Sequence, residues 1–139
     1  MTTDLALKLT QHVPAAPERV FDAWLDPKIL GRFMSEEVLK AETDPKVGGR
    51  FDIVMKNDMG EIPHWGEYRE IDRPNRLVFT WNSPYAAPDS VVTIDFRAAK
   101  GGTDLTLVHD RFPSEASRNG HEKGWTAILA ALAEAIKAA

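Results

Sequence analysis

Four histidines, the absence of cysteine and a set of inward-phased aromatic residues define the chemistry open to this 139-residue chain. Without cysteine there is no disulfide, no thiolate nucleophile and no zinc–sulfur centre. Serine is present, but never in a Gly-x-Ser-x-Gly elbow. A covalent nucleophile therefore has no anchor, and the histidines remain. His64 shares parity with Gly66 and Tyr68, and His109 with Leu105 and Leu107. His121 lies one turn before Trp125 on a helical stripe, so all three are placed to face an interior. Three neutral imidazoles and a water make a zinc site, yet these three come from separate segments with no His-x-x-x-His pair. The readings left for them are hydrogen-bonded structural imidazole and orientation of a polar ligand group. His12, near the end of the first strand, is expected at the surface.

The acids have plainer readings. Glu67 and Asp95 fall on the strand faces opposite the core residues. Arg69 and Arg97 share those faces, so cross-strand ion pairs account for them, each contributing well under ~1 kcal/mol. Glu70 and Asp110 are the other candidate acids. His109-Asp110 is not a dyad, because adjacent strand residues point to opposite faces. Gly48-Gly49 and Gly101-Gly102 sit between strands rather than ahead of a helix, so they read as turns needing positive φ and not as a phosphate cradle.

The elements that must position these residues follow from hydrophobic spacing. Leu5, Leu7 and Leu9 alternate with polar neighbours and predict a first strand to about Val13. Pro17 at a helix start, with Glu18 beside it at the positive end of the dipole, opens a short helix bearing Val20, Phe21 and Trp24. Asp26-Pro27 ends it and can cap a second short helix to about Met34. Strands follow: a weak candidate from Val38 to Glu42; Arg50 to Lys56, with Phe51, Ile53 and Met55 on one face; and, beyond a turn at Asn57 to Gly60, Ile62 to Ile71. Pro63 places the beginning of that last strand at an edge or bulge. After a turn at Asp72 to Asn75, Leu77, Phe79 and Trp81 alternate. Val92, Ile94 and Phe96 alternate again, and beyond a hairpin at Lys100 to Thr103 so do Leu105, Leu107 and His109.

From His121 the period changes. Trp125, Ile128, Leu129, Leu132 and Ile136 form one stripe at helical spacing. A lone helix cannot bury that stripe, so it must lie across the preceding sheet. A curved antiparallel sheet gripping one helix tends to leave a pocket between them. Gly120 and Gly124, at the start of the helix, can allow close approach or keep a pocket mouth open, and they make that end the softer one. The loop Asn82 to Asp89, with Tyr85 between prolines, is a candidate lid or partner contact as well as an ordinary solvent loop.

Composition narrows the classes. The net charge of −4, with scattered Lys and Arg, argues against nucleic acid. No apolar run reaches membrane-spanning length, and the start, Met1 to Asp4, lacks the basic and apolar regions of a signal peptide. One domain over residues 1–139, reduced and cytoplasmic, is the expectation.

The ordered segments Ala16-Pro17-Glu18-Arg19-Val20-Phe21-Asp22-Ala23-Trp24, Val47-Gly48-Gly49-Arg50-Phe51, Gly66-Glu67-Tyr68-Arg69-Glu70-Ile71, Asn75-Arg76-Leu77-Val78-Phe79-Thr80-Trp81, Gly101-Gly102-Thr103-Asp104-Leu105-Thr106-Leu107 and Gly124-Trp125 together carry a resemblance. Over nearly its whole length the chain resembles bacterial proteins similar to the C-terminal domain of the heat-shock-protein-90 ATPase activator, within the START-like (SRPBCC, Bet v 1-like) superfamily. The resemblance implies an α+β helix-grip fold: a curved antiparallel β-sheet wrapped around a long C-terminal helix, with two short helices after the first strand. It implies relatives that bind lipids, hydrophobic small molecules or a chaperone, and distant ones that cyclise polyketides. Where the family often carries a tryptophan pair at the end of the second helix, this chain has Arg32-Phe33.

The leading expectation is non-enzymatic binding of a hydrophobic or amphipathic small molecule between sheet and helix, because aromatic walls with sparse polar groups are what such pockets look like. The candidate ligand-binding residues are Phe33, Phe51, Ile53, Met55, His64 and Tyr68, then Phe79, Trp81, Ile94, Phe96 and His109, and on the helix His121, Trp125, Ile128 and Leu129. For any one of the apolar members, a filled core is the competing reading. The alternatives are a module that regulates a chaperone ATPase through its outer surface, and an enzyme of cyclase or hydrolase type using His64, Tyr68 or His121. No cofactor or metal is expected, and the chain is read as a monomer or homodimer.

Overall fold

Alternation in this chain builds one sheet. The computed structural model describes residues 5–35, 37–58 and 60–138. Its strands are β1 (Leu5–Val13), β2 (Glu37–Thr43), β3 (Arg50–Asn57), β4 (Gly60–Asp72), β5 (Arg76–Trp81), β6 (Ser90–Ala99) and β7 (Gly102–Phe112). They pair antiparallel in the order β1-β7-β6-β5-β4-β3-β2. The crossing from one edge of the sheet to the other is made by α1 (Pro17–Ala23) and α2 (Pro27–Phe33), and α3 (Glu115–Ala138) follows the last strand. This is the helix-grip arrangement of the α+β class. The start Met1 to Asp4, and Met59 within the expected Asn57 to Gly60 turn, lie outside the described residues.

Local chemistry explains the boundaries. Proline stands at the first position of α1 and of α2, where a missing N–H costs nothing. The Asp26 carboxylate accepts from the Lys28 N–H at 2.9 Å and caps α2. Pro63 is tolerated because β5 ends beside Trp65, whose N–H is the last on that side of β4 to find a partner, the Asn82 carbonyl at 3.0 Å. The Pro63 nitrogen has the same parity and faces the side that β5 does not reach, which is the edge position expected for it. Gly48 and Gly101 have φ of +86° and +78°, the turn conformations that favour glycine.

Two bulges break the strict alternation. Opposite Leu5 and Leu7, β7 carries an extra residue, and Arg111 takes φ of +66°. The bulge turns Arg111 outward and brings Phe112 onto the same buried face as His109. In β4 an extra residue between Tyr68 and Glu70 sends Glu70 to solvent and turns Ile71 toward the core instead.

The ion pairs differ from those expected. Glu67 pairs with Arg69 along its own strand at 3.1 Å, and Asp95 pairs across the sheet with Arg76 at 2.7 Å, not with Arg97. Parity alone located the charged face, but register decides the partner, and Arg76 stands directly opposite Asp95. The long helix also begins earlier than its apolar stripe, at Glu115, because its first turns are polar and show no periodicity.

The core lies between the concave face of the sheet and α3. Trp125, Leu129, Leu132 and Ile136 are buried on the helix, against Leu7, Leu105, Leu107, Ile94 and Phe96 from the sheet and Phe21 from α1. The helix rests on β1, β7 and α2. It does not cover the far half of the sheet, and that asymmetry creates the site.

Candidate functional site

A cleft of about 1010 Å³ opens between the first half of α3 and the uncovered inner face of β3 and β4. The strands contribute Met55, Ile62, His64 and Trp81; α3 contributes Gly120, His121, Gly124, Trp125 and Ile128. The end of α2 closes one side with Arg32, Phe33 and Met34. Tyr85, from the loop after β5, stands half-exposed at the rim.

Aromatic rings form its floor. Trp81 and Trp125 approach to 4.9 Å between centroids at 53°, and His64 lies over Trp81 at 4.9 Å and 37°. Trp24 backs Trp125 at 6.3 Å, and Phe33 meets Trp24 edge-on at 5.2 Å. These offsets and tilts are the ones aromatic quadrupoles prefer.

A buried hydrogen-bond relay fixes both indoles. The Nε1–H of Trp125 donates to Nδ1 of His109 at 3.0 Å. An indole nitrogen can only donate, so Nδ1 of His109 is unprotonated and its proton sits on Nε2. That Nε2 donates to the Ser90 hydroxyl at 2.8 Å, and the hydroxyl donates to the Trp81 carbonyl at 2.6 Å. Burial, with His121 nearby, lowers the His109 pKa to about 3 and keeps the ring neutral.

The other two histidines meet the cleft directly. His121 donates from Nδ1 to the Ser117 carbonyl at 2.8 Å, a bond in which only the imidazole can supply the proton. Burial lowers the pKa of His64 to about 4; the backbone of Ile62 and Ile53 opposes that shift and His121 adds to it. Nδ1 of His64 is buried, close to that backbone but with no hydrogen bond closed on it.

The loop Asn82 to Asp89 is held to the site. The Asn82 side chain accepts from the Asp89 N–H at 2.8 Å, which supports φ of +53° at Asp89. The Ser117 hydroxyl donates to the Tyr85 carbonyl at 3.0 Å and ties the rim to α3. At Gly120 and Gly124 an added Cβ would have no neighbour within 4 Å, so these glycines leave space and do not serve a close approach. Gly66 is the opposite case, since a Cβ there would overlap the Thr80 carbonyl oxygen and the Phe51 ring.

Of the candidates named from sequence, Phe33, Met55, His64, Trp81, His121, Trp125 and Ile128 come together around the cleft. Phe51, Ile53, Tyr68 and Phe79 instead surround a void of about 10 Å³ beneath it, shared with Trp24 and Leu30. Burial pushes the Tyr68 phenol up, with Asp44 adding to the shift. Ile94, Phe96 and Leu129 are packed into the core, and His109 lies behind Trp125, off the cleft surface. Among the described residues, no group of three His, Cys, Asp or Glu side chains is placed to hold a metal ion. Sequence reasoning missed Arg32, Ile62, Ser83 and Ser117. Ile62 and Arg32 had findable signals, the parity of His64 and the position beside Phe33, whereas Ser83 and Ser117 carry none.

Residues 14–137 match the family described as activator of Hsp90 ATPase homolog 1-like protein. No curated protein matches the chain. Among solved structures, a protein from Chromobacterium violaceum is 25% identical, with 93% of this chain and 95% of that one covered and a TM-score of 0.78. An AHSA1-like protein from Aeromonas hydrophila is 24% identical over 96% of this chain and 93% of its own, with a TM-score of 0.81. A Staphylococcus aureus protein of unknown function reaches a TM-score of 0.84 at 17% identity, covering 98% of this chain and 95% of its own. These likenesses show the fold.

Proposed function

This chain belongs to the activator of Hsp90 ATPase homolog 1-like family, and from that premise we propose that it binds a hydrophobic or amphipathic small molecule in the cleft between α3 and the sheet. The observation that carries the reading is the uncovered inner face of β3 and β4. It leaves a cavity of about 1010 Å³ floored by Trp81 and Trp125 in a protein whose remaining interior is filled. Met55, Ile62 and Ile128 supply apolar wall, while His64 and His121 supply the few polar groups that would orient an occupant. No side chain at the site combines a nucleophile with a base, so binding without turnover is the simplest use of this geometry.

Native mass spectrometry of the purified chain and a thermal-shift panel of lipids and aromatic compounds test it. A ligand that binds only the native state raises stability by roughly 2.7 kcal/mol at about 100 times its Kd. At least one compound is expected to raise the Tm, and Gly124→Trp, which fills the cleft, is expected to abolish that rise. A panel without a single shift would sink the reading.

A second reading, a module that regulates a chaperone ATPase, draws on the family's name and on the outer surface. Leu39, Val47 and Trp65 are exposed around β2 and β4, on the side away from the cleft. Leu39 is exposed because it is the extra residue of a bulge in β2 opposite Met55 and Val54. An ATPase rate of the bacterial chaperone that changes with wild-type protein but not with Trp65→Ala would support this role, and an unchanged rate at saturation would dismiss it.

A further inference from the structure

The polar groups of the cleft point to a narrower class of ligand, and this inference rests on the cleft being a ligand site. His121 commits Nδ1–H to the Ser117 carbonyl, so the neutral ring presents the lone pair of Nε2 as its remaining hydrogen-bonding atom. His64 lines the same cleft with Nδ1 buried, and the backbone carbonyls of Ile62 and Ile53 favour the proton on that nitrogen. Its Nε2 is therefore also left as an acceptor, on a ring kept neutral by burial. Two imidazole acceptors beside two indole faces ask for an occupant that is flat and that brings its own proton.

We propose that the cleft takes a planar aromatic compound bearing a hydroxyl group, with its ring against Trp81 and Trp125 and its hydroxyl donating to Nε2 of His64 or His121. A saturated chain would gain only area burial from the indoles, whereas an aromatic ring adds the quadrupole interaction. A site built to hydrogen-bond a hydroxyl discriminates against the analogue lacking it, because the buried acceptor is then unpaired. The relay through His109 and Ser90 contributes by holding both indoles in place before the ligand arrives.

Isothermal titration calorimetry with 2-naphthol, 2-methoxynaphthalene, naphthalene and decanoic acid tests this on the intact chain. 2-Naphthol is expected to bind about tenfold more tightly than naphthalene or the methyl ether, and more tightly than decanoic acid. His121→Ala and His64→Ala are each made, and at least one is expected to shrink the preference for 2-naphthol over naphthalene while leaving naphthalene affinity in place. Equal affinity for 2-naphthol, its ether and naphthalene would overturn the hydroxyl assignment while leaving the cleft a ligand site. Tighter binding of decanoic acid would overturn the aromatic assignment in the same way. Retention of the full preference in both variants would overturn the roles of the two histidines. Silence of all four ligands, together with the wider thermal-shift panel, would remove the ligand-site reading itself.

Discussion

The indole N–H of Trp125 and Nδ1 of His109 meet at 3.0 Å inside the core, and this bond joins the helix to the sheet directly behind the cleft floor. It also sets the His109 tautomer, and through Ser90 it reaches the backbone of Trp81. Replacing His109 by Phe keeps the ring volume but strands the Trp125 N–H. Stability is expected to fall by about 2 kcal/mol, the cost of a buried unpaired donor, read as a lower urea midpoint with an unchanged m-value.

Acid should weaken the fold through the same residue. The folded-state pKa values of His109 and His64 are lowered to about 3 and about 4, against about 6.5 for the unfolded chain. Between those limits the unfolded state holds more protons, so stability rises with pH. The stabilisation is fully present above about pH 6.5. It is lost as pH falls toward 4 and then 3, by up to about 1.4 kcal/mol per pH unit for each group. The urea midpoint measured from pH 7.5 to 4.5 should fall steeply in wild type and less steeply in His109→Phe.

Three glycine substitutions should separate by sign. Gly66→Ala drives a methyl into the Thr80 carbonyl and the Phe51 ring, and a loss of about 3 kcal/mol or failure to express as folded protein is expected. Gly124→Ala and Gly120→Ala meet nothing within 4 Å. Each should raise stability by up to about 1 kcal/mol through helix propensity. Thermal unfolding of the three variants provides the check.

Amide exchange should divide α3. Its later turns carry Leu129, Leu132 and Ile136 in the core, whereas Gly120, His121 and Gly124 line the cleft. Residues 119–125 are therefore expected to exchange faster than residues 128–136 by hydrogen-exchange mass spectrometry. A saturating cleft ligand should slow the first group more than the second.

Much of this fold was legible because alternation and helical spacing are direct images of burial. Phe51, Ile53, Phe79, Ile94 and Trp125 were placed inward by period alone, and all are buried. Period could not reveal the bulge at Arg111, which depends on a backbone conformation and brings Phe112 beside His109 at 4.4 Å between rings. Nor could it separate floor from core. Phe79 and Trp81 share a face of one strand, yet only Trp81 reaches the cleft, because the helix rests on β1 and β7 and leaves that corner bare. The His109 relay was invisible for a related reason: its partners come from β6 and α3, and no spacing in sequence links them.

The way α3 is fastened has a mechanical consequence. Its far end is gripped by the core and by the Arg19 side chain donating to the Ile136 carbonyl. Its near end is moored by polar contacts, Arg118 to the Ala6 carbonyl and Ser117 to the Tyr85 carbonyl. The rod is thus a cantilever, stiff at its root and compliant at its tip. Small deflections of that tip would resize the opening beneath it without disturbing the packed interior, so one scaffold can fit guests of different bulk.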